Sequence, residues 1–95
     1  MNKQFEGKVA FISGGTSGLG KATVYELVKR GARVIFVGRD DAKAQEVINK
    51  CKELGGEAEY KNCDITKHQN VIDVFGYIRE RYGKLDFAGN VAGTG

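Results

Sequence analysis

Proline and tryptophan are absent from this 95-residue chain, and it holds only two cysteines, one histidine and one methionine. A zinc site needs about four clustered Cys, His or carboxylate ligands. Cys51, Cys63 and His68 spell no such cluster, so no metal is expected. The two cysteines read instead as reduced core thiols of an intracellular protein. Long apolar runs are also missing. Residues Met1 to Gly7 lead into the short run Val9-Ala10-Phe11-Ile12, whereas a secretory core needs roughly 7–15 apolar residues and a membrane span about 20. The chain is therefore expected to be soluble and cytoplasmic, without a membrane partner. A block of one charge sign is lacking too. Fifteen Lys and Arg alternate with twelve Asp and Glu, for a net charge of +3. Without a basic stripe interleaved with aromatics, nucleic acid is not an expected partner.

What remains is an ordinary globular composition, 41% hydrophobic and 28% charged. A chain of this length forms one domain at most and buries about 60–65% of its unfolded surface. Fourteen glycines punctuate it. Val9-Ala10-Phe11-Ile12 is too short for a helix and ends before Gly14-Gly15, as a buried strand does. Gly18 to Arg30 reads as a helix with Ala22, Leu27 and Val28 inward and Gly31 as its stop. Val34 to Val37 is a second strand closed by Gly38. Asp40 and Asp41 open the next helix, whose inward positions are Ala44, Val47, Ile48, Cys51 and Leu54, and Gly55-Gly56 ends it. Glu57 to Cys63 is a weaker third strand. Thr66 and Gln69 spell a T-x-x-Q capping box ahead of a helix carrying Val71, Val74, Phe75, Ile78 and Tyr82 on one stripe. Gly83 stops that helix, and Leu85 to Val91 forms a fourth strand. The alternation predicts an α/β fold: a parallel four-stranded sheet in order 3-2-1-4 with helices on both faces, the first half of a doubly wound arrangement.

The segment Ser13-Gly14-Gly15-Thr16-Ser17-Gly18-Leu19-Gly20 lies between the first strand and the first helix. A chain that must turn sharply, approach a pyrophosphate and pack helix on strand needs residues without Cβ. The helix start adds free N–H groups and a positive dipole end. A purely structural turn is the alternative. Gly15 to Lys21 also matches the opening of a P-loop, G-x-x-x-x-G-K, but Ala22 stands where a magnesium-holding Ser or Thr belongs. A stand-alone nucleotide-binding module of the ATP or GTP type is thus the lesser alternative.

The spacing Gly14-x-x-x-Gly18-x-Gly20 resembles the T-G-x-x-x-G-x-G loop of short-chain dehydrogenases/reductases, with Ser13 in the Thr position. Asn62-Cys63-Asp64-Ile65-Thr66 resembles the family's D-V-T segment, and Asn90-Val91-Ala92-Gly93 its N-N-A-G motif. The resemblance covers the whole chain. It implies a Rossmann-type domain in which Gly14, Thr16, Ser17, Gly18, Leu19, Gly20, Asn90, Ala92 and Gly93 bind the cofactor. It also implies that the Asp64 carboxylate accepts from the adenine amino group, with the Ile65 N–H facing a ring nitrogen. An aspartate there can equally help cap the next helix, and both roles can hold together. Val91 departs from the second Asn of the motif, and Ala88-Gly89 replaces two larger apolar residues, which thins the fourth strand. The family's catalytic Ser and Tyr-x-x-x-Lys pair fall beyond its fourth strand, where this sequence has no counterpart. Tyr25 to Lys29 spells Y-x-x-x-K, but on the helix behind the glycine loop, away from any nicotinamide ring. Residues 1–95 are therefore expected to be the N-terminal part of a dinucleotide-binding domain, ending after the fourth strand. Alone they should be inactive, though the intact form would act on a carbonyl or alcohol substrate.

NAD-selective proteins of this fold place an acid about 20 positions beyond the loop, and NADP-selective ones an arginine nearby. Here Gly38 occupies the acidic position and Arg39 follows. Glycine leaves room for a 2′-phosphate, and the guanidinium fork suits it. NADP is expected, with NAD as the alternative. Asp40 and Asp41 count against it, as does Ser17, which is not the second basic residue some NADP-type members carry. Arg39 could equally be a solvated residue at a helix start. The fourth strand, at a sheet edge without Lys or Pro to block pairing, leads us to expect self-association.

Overall fold

Val34-Ile35-Phe36-Val37 is apolar at every position, so no alternation can leave one side of this strand in water. It must be covered on both faces, which is the condition of a parallel sheet flanked by helices. The computed structural model, which describes residues 4–14 and 18–90, has that arrangement. The order is β1 (Val9–Ser13), α1 (Gly18–Lys29), β2 (Arg33–Gly38), α2 (Asp41–Glu53), β3 (Ala58–Asn62), α3 (His68–Tyr82) and β4 (Phe87–Asn90). The strands lie in the order β3-β2-β1-β4, all neighbours parallel. This is the predicted Rossmann-type half-sheet.

Side chains alternate across the sheet and divide the core in two. Ala10, Ile12, Val34 and Phe36 meet α1 and α2 through Val24, Val28, Val47 and Cys51. Val9, Phe11, Ile35 and Val37 meet α3 through Val74 and Ile78, joined by Cys63. Both cysteines are free and buried, one in each layer. The helix positions follow prediction with two exceptions: on the α3 stripe Phe75 is exposed, meeting the core through the Phe11 ring, and α1 differs at Ala22. Ala22 is exposed, and the buried residues are Gly20, Val24 and Val28. At 100° per residue, Ala22 sits 200° around the helix from Val24, so the i, i+4, i+8 stripe turns it outward.

A second correction concerns the start of α3. The helix begins at His68 with Lys67 in the cap position and no side-chain cap, so Thr66 and Gln69 make no capping box. The Thr66 hydroxyl donates instead to Asp64 Oδ1 at 2.6 Å, and Gln69 reaches forward to Asp73 at 2.8 Å. Asp64 outcompetes the helix end for Thr66 because it lies two residues away and offers a full charge. By contrast Asp40 caps α2 as predicted, its carboxylate accepting from the Lys43 N–H at 3.0 Å. The start of β4 also differs: the strand begins at Phe87, two residues after Leu85. Asp86 exchanges bonds with Val9, its carboxylate accepting from the Val9 N–H and its own N–H donating to the Val9 carbonyl, each at 2.8 Å. Leu85 is left outside the ladder and exposed.

The two sheet edges are unlike. On β3, Glu59 accepts from the Tyr77 and Tyr82 hydroxyls, and Lys61 lies over the Tyr77 ring at 3.8 Å. That edge is guarded by charge. The described part of β4 reads Phe87-Ala88-Gly89-Asn90 and carries none.

Gly56 closes α2 against α1. The Gly56 and Gly55 N–H groups donate back to the Cys51 and Lys52 carbonyls at 3.1 and 3.0 Å, a Schellman ending. A Cβ on Gly56 would stand 2.2 Å from Val28 Cγ1, whereas one on the exposed helical Gly76 would meet nothing within 4 Å. The two glycines should therefore answer alanine with opposite signs. Gly56→Ala should cost about 1–3 kcal/mol by overpacking. Gly76→Ala should add roughly 0.5–1 kcal/mol through helix propensity. Urea melts of both variants check this; equal signs would contradict the α1–α2 packing.

Candidate dinucleotide-binding site

Parallel strands deliver all their C-terminal ends to one rim of the sheet, the place where α/β sheets bind ligands. β1 ends at Ser13, β2 at Gly38, β3 at Asn62 and β4 at Asn90, with Ser13 in register with Val37 and with Asn90. Gly14 turns away from β1 at φ 75°, a left-handed conformation that favours glycine. Its N–H donates to the Val37 carbonyl at 3.1 Å, so the turn is tied to β2. The helix resumes at Gly18 with no acidic residue in its first turn. A Cβ at Gly18 would meet nothing within 4 Å, Leu19 is exposed, and Gly20 is buried beneath the helix start. Thr16, Ser17, Ala92 and Gly93 lie outside the described residues, as does Val91. Gly89 has a structural reason to be small. A Cβ there would lie 3.3 Å from Ile12 Cδ1, which fills the space a larger residue would take.

At the β2 and β3 ends the structure brings Arg39 and Asp64 together. The Arg39 guanidinium reaches Asp64 Oδ2 at 3.4 Å, and its side chain is 73% exposed against 20% for the aspartate. The other oxygen, Oδ1, accepts from the Thr66 N–H at 3.0 Å and from the Thr66 hydroxyl. These bonds from Thr66, more than the Arg39 charge, hold the Asp64 carboxyl below the ordinary carboxylate range. Ile65 follows, half-buried against the α3 layer. Asp64 thus closes the turn over Thr66 and does not cap α3, whose start has no side-chain cap, and its outer oxygen remains at the rim.

A group that sequence reasoning missed stands beside Arg39. Asp41 Oδ1 accepts from the Tyr60 hydroxyl at 2.9 Å and from the Asn62 side-chain amide at 2.8 Å. The Tyr60 hydroxyl also lies 3.0 Å from the Gly38 carbonyl oxygen, which accepts the Cys63 N–H at 2.9 Å. Burial, and next the bond to Asp41, push the Tyr60 phenol up to about 12. The signal was available: Tyr60 and Asn62 are two apart in a strand, hence on one face, and their register partners are Phe36 and Gly38. The Tyr25 and Lys29 pair does not assemble as a catalytic couple. Tyr25 packs on the α1–α2 core, and Lys29 pairs with Glu26 at 3.8 Å.

Among the described residues, no three His, Cys, Asp or Glu gather as a metal site, and no helix is long and apolar enough to cross a membrane.

A glycine turn, an acid-free helix start and an Arg–Asp pair lie on one rim of a Rossmann-type 3-2-1-4 sheet, and comparison with known proteins places this arrangement. The profile of the short chain dehydrogenase family matches residues 8–95, and the chain belongs to that family. It is similar to a 3beta-hydroxysteroid dehydrogenase of Mediterraneibacter gnavus, 39% identical over 90 residues, covering 95% of this chain and 33% of that protein. L-sorbose reductase from Gluconobacter frateurii, solved with NADPH and L-sorbose, superposes with a TM-score of 0.88 at 32% identity, over 100% of this chain and 36% of that one. An NAD+-bound xylitol dehydrogenase superposes at 0.84 with 28% identity, over 90% and 33%. The chain spans about a third of the length of the curated relatives it matches.

Because the folded Asp64 carboxyl is depressed, it stabilises the fold above the ordinary aspartate value of about 3.9. That contribution fades as pH falls through the lower folded value. Thr66→Val removes the hydroxyl donor and should move the Asp64 midpoint upward in a carbon-detected NMR titration. Arg39→Gln should move it less. The reverse ranking would make the ion pair, not Thr66, the dominant cause.

Proposed function

We propose that this chain is the NADP(H)-binding portion of a short-chain dehydrogenase/reductase. The intact form would transfer hydride between the nicotinamide and a carbonyl or alcohol carbon, in the cytoplasm. The observation that carries the choice of cofactor is the β2 end. Gly38 offers no carboxylate to the adenosine ribose, and Arg39, largely in solvent and paired among the described residues with Asp64 at 3.4 Å, can swing onto a 2′-phosphate. The neighbouring acids do not cancel it. Asp40 is engaged at Lys43 and Asp41 at Tyr60 and Asn62.

The residues present fit a dinucleotide. The space around Gly18 and the lack of an acid in the first turn of α1 leave room for a pyrophosphate at the helix start. Gly14, Thr16, Ser17, Leu19 and Gly20 would form its cradle. Asp64 Oδ2 would accept from the adenine amino group with the Ile65 N–H beside it, and Asn90, Ala92 and Gly93 would border the nicotinamide half. When bound, the cofactor supplies the hydride; this chain binds and orients it. The P-loop alternative is weaker, because Ala22 has no oxygen for magnesium and is exposed.

Calorimetric titration of NADP+ and NAD+ tests the reading. Arg39→Glu should weaken NADP+ by roughly tenfold or more, since a charge-assisted contact is worth about 1.5–3 kcal/mol, with a discount for exposure. NAD+ should change little. Equal losses for both cofactors would show that Arg39 does not read the phosphate. The chain alone should give no turnover of NADPH with ketones or aldehydes above a Gly18→Asp control, since the family's Ser and Tyr-x-x-x-Lys have no counterpart in it. Turnover above that control would overturn the assignment of residues 1–95 to the binding portion alone.

We also infer that this chain associates with a second copy through β4. Phe75, Leu85 and Phe87 are exposed on that side, and the described strand lacks the charges that guard β3. Two such edges related by a two-fold axis are the simplest match. Light scattering over a dilution series should show a dimer that dissociates and melts earlier on dilution. A monomer with a concentration-independent melt would contradict the pairing.

A further inference from the structure

Arg39 is followed at once by two aspartates, and a 2′-phosphate brought to Arg39 would meet their charge. Asp40 is committed to the α2 cap through the Lys43 N–H. Asp41 has no role in that cap and would repel a dianion if its carboxylate turned toward Arg39. The structure shows what holds it elsewhere. Tyr60 and Asn62, on the same face of β3, both donate to Asp41 Oδ1, at 2.9 and 2.8 Å. Tyr60 is itself fixed, half-buried with its ring 5.4 Å from that of Phe36 and its hydroxyl 3.0 Å from the Gly38 carbonyl. That carbonyl receives the Cys63 N–H at 2.9 Å and shares the one Tyr60 hydroxyl proton with Asp41 Oδ1, so the backbone before Arg39 is held in place. The turn from Gly38 to Asp41 is therefore fastened at the Gly38 carbonyl and at the side chains of Asp40 and Asp41. Arg39, 73% exposed and paired among the described residues with Asp64 at 3.4 Å, is the side chain left able to swing.

We propose that Tyr60 and Asn62 are positioning residues for cofactor selectivity: they hold the Asp41 carboxylate against β3, so that Arg39 is the charge presented to a 2′-phosphate. Neither touches the cofactor; both act through Asp41. The inference rests on the NADP reading and adds to it a mechanism for tolerating acids beside the phosphate reader. Two bonds to one carboxylate oxygen disperse its charge and fix its direction, and Coulomb repulsion near a surface changes steeply with a few ångströms.

The test uses 2′,5′-ADP and 5′-AMP, which carry the adenosine end with and without the 2′-phosphate and need no nicotinamide contact. The readout is the ratio of their dissociation constants. Tyr60→Phe should lower the preference for 2′,5′-ADP about three- to tenfold. Asn62→Ala, at an exposed strand end, should act in the same direction with less risk to folding. Adding Asp41→Asn to Tyr60→Phe should restore the preference, because the uncharged amide no longer repels. A merely structural role would weaken both ligands alike and would not be rescued by removing that charge. If Arg39→Glu abolishes the preference while Tyr60→Phe and Asn62→Ala leave it intact, the positioning role is wrong and the NADP reading stands. If the unaltered chain shows no preference, the NADP reading fails and this inference falls with it.

Discussion

The pairing of β1 with β2 is the constraint on which the rest depends. Both strands are apolar at every position that meets the core, from Val9 to Ile12 and from Val34 to Val37, and all eight residues are buried. Such a pair is stable only if both faces are covered, and parallel strands reach this condition through crossover helices. α1 and α2 take one face and α3 the other. The right-handed crossover then leaves no choice about the rim: the ends of β1 and β2, and with them Gly14 and Gly38, must lie side by side. The Gly14 N–H bond to the Val37 carbonyl extends the strand pairing into the turn. The candidate rim is thus a consequence of a packing requirement.

Charge does the finer work. Asp64, Asp41 and Asp40 all lie near Arg39, yet each carboxylate has a local donor set: Thr66 for Asp64, Tyr60 and Asn62 for Asp41, and the Lys43 N–H for Asp40. An acid bonded in this way can sit beside Arg39 without dominating it, as the proposed reading of a 2′-phosphate requires. The same economy appears at the opposite rim, where Asp86 starts the β1–β4 ladder by accepting the Val9 N–H with its side chain. That bond, with Lys84 adding to it, holds the Asp86 carboxyl below the ordinary range.

Long-range order was legible in the sequence because it is written redundantly. Runs of β-branched residues, glycine stops and three motifs at the ends of β1, β3 and β4 all point to one topology, so boundary errors of a residue or two do not alter it. Local competition was not legible. The T-x-x-Q spelling at Thr66 and Gln69 is a good cap only if nothing nearer binds the threonine, and Asp64 does. Ala22 fits an apolar position by type, but the phase of α1 is set by Val24 and Val28 against the sheet. The Asp41–Tyr60–Asn62 group joins a helix start to a strand nearly twenty residues later, and only the β2–β3 register brings its members together. Thr16, Ser17, Ala92 and Gly93 lie outside the described residues, so their part in the site rests on the family pattern alone.

Amide chemical-shift mapping with NADP+ locates the ligand on the sheet without requiring catalysis. Shifts are expected at Gly14, Gly18 to Gly20, Arg39, Asp64 and Ile65, on the rim formed by the strand ends. Amides at the opposite rim, such as Lys8, Ala32 and Glu57, should stay still. Shifts centred on the opposite rim, or none at saturating ligand, would contradict this placement of the site.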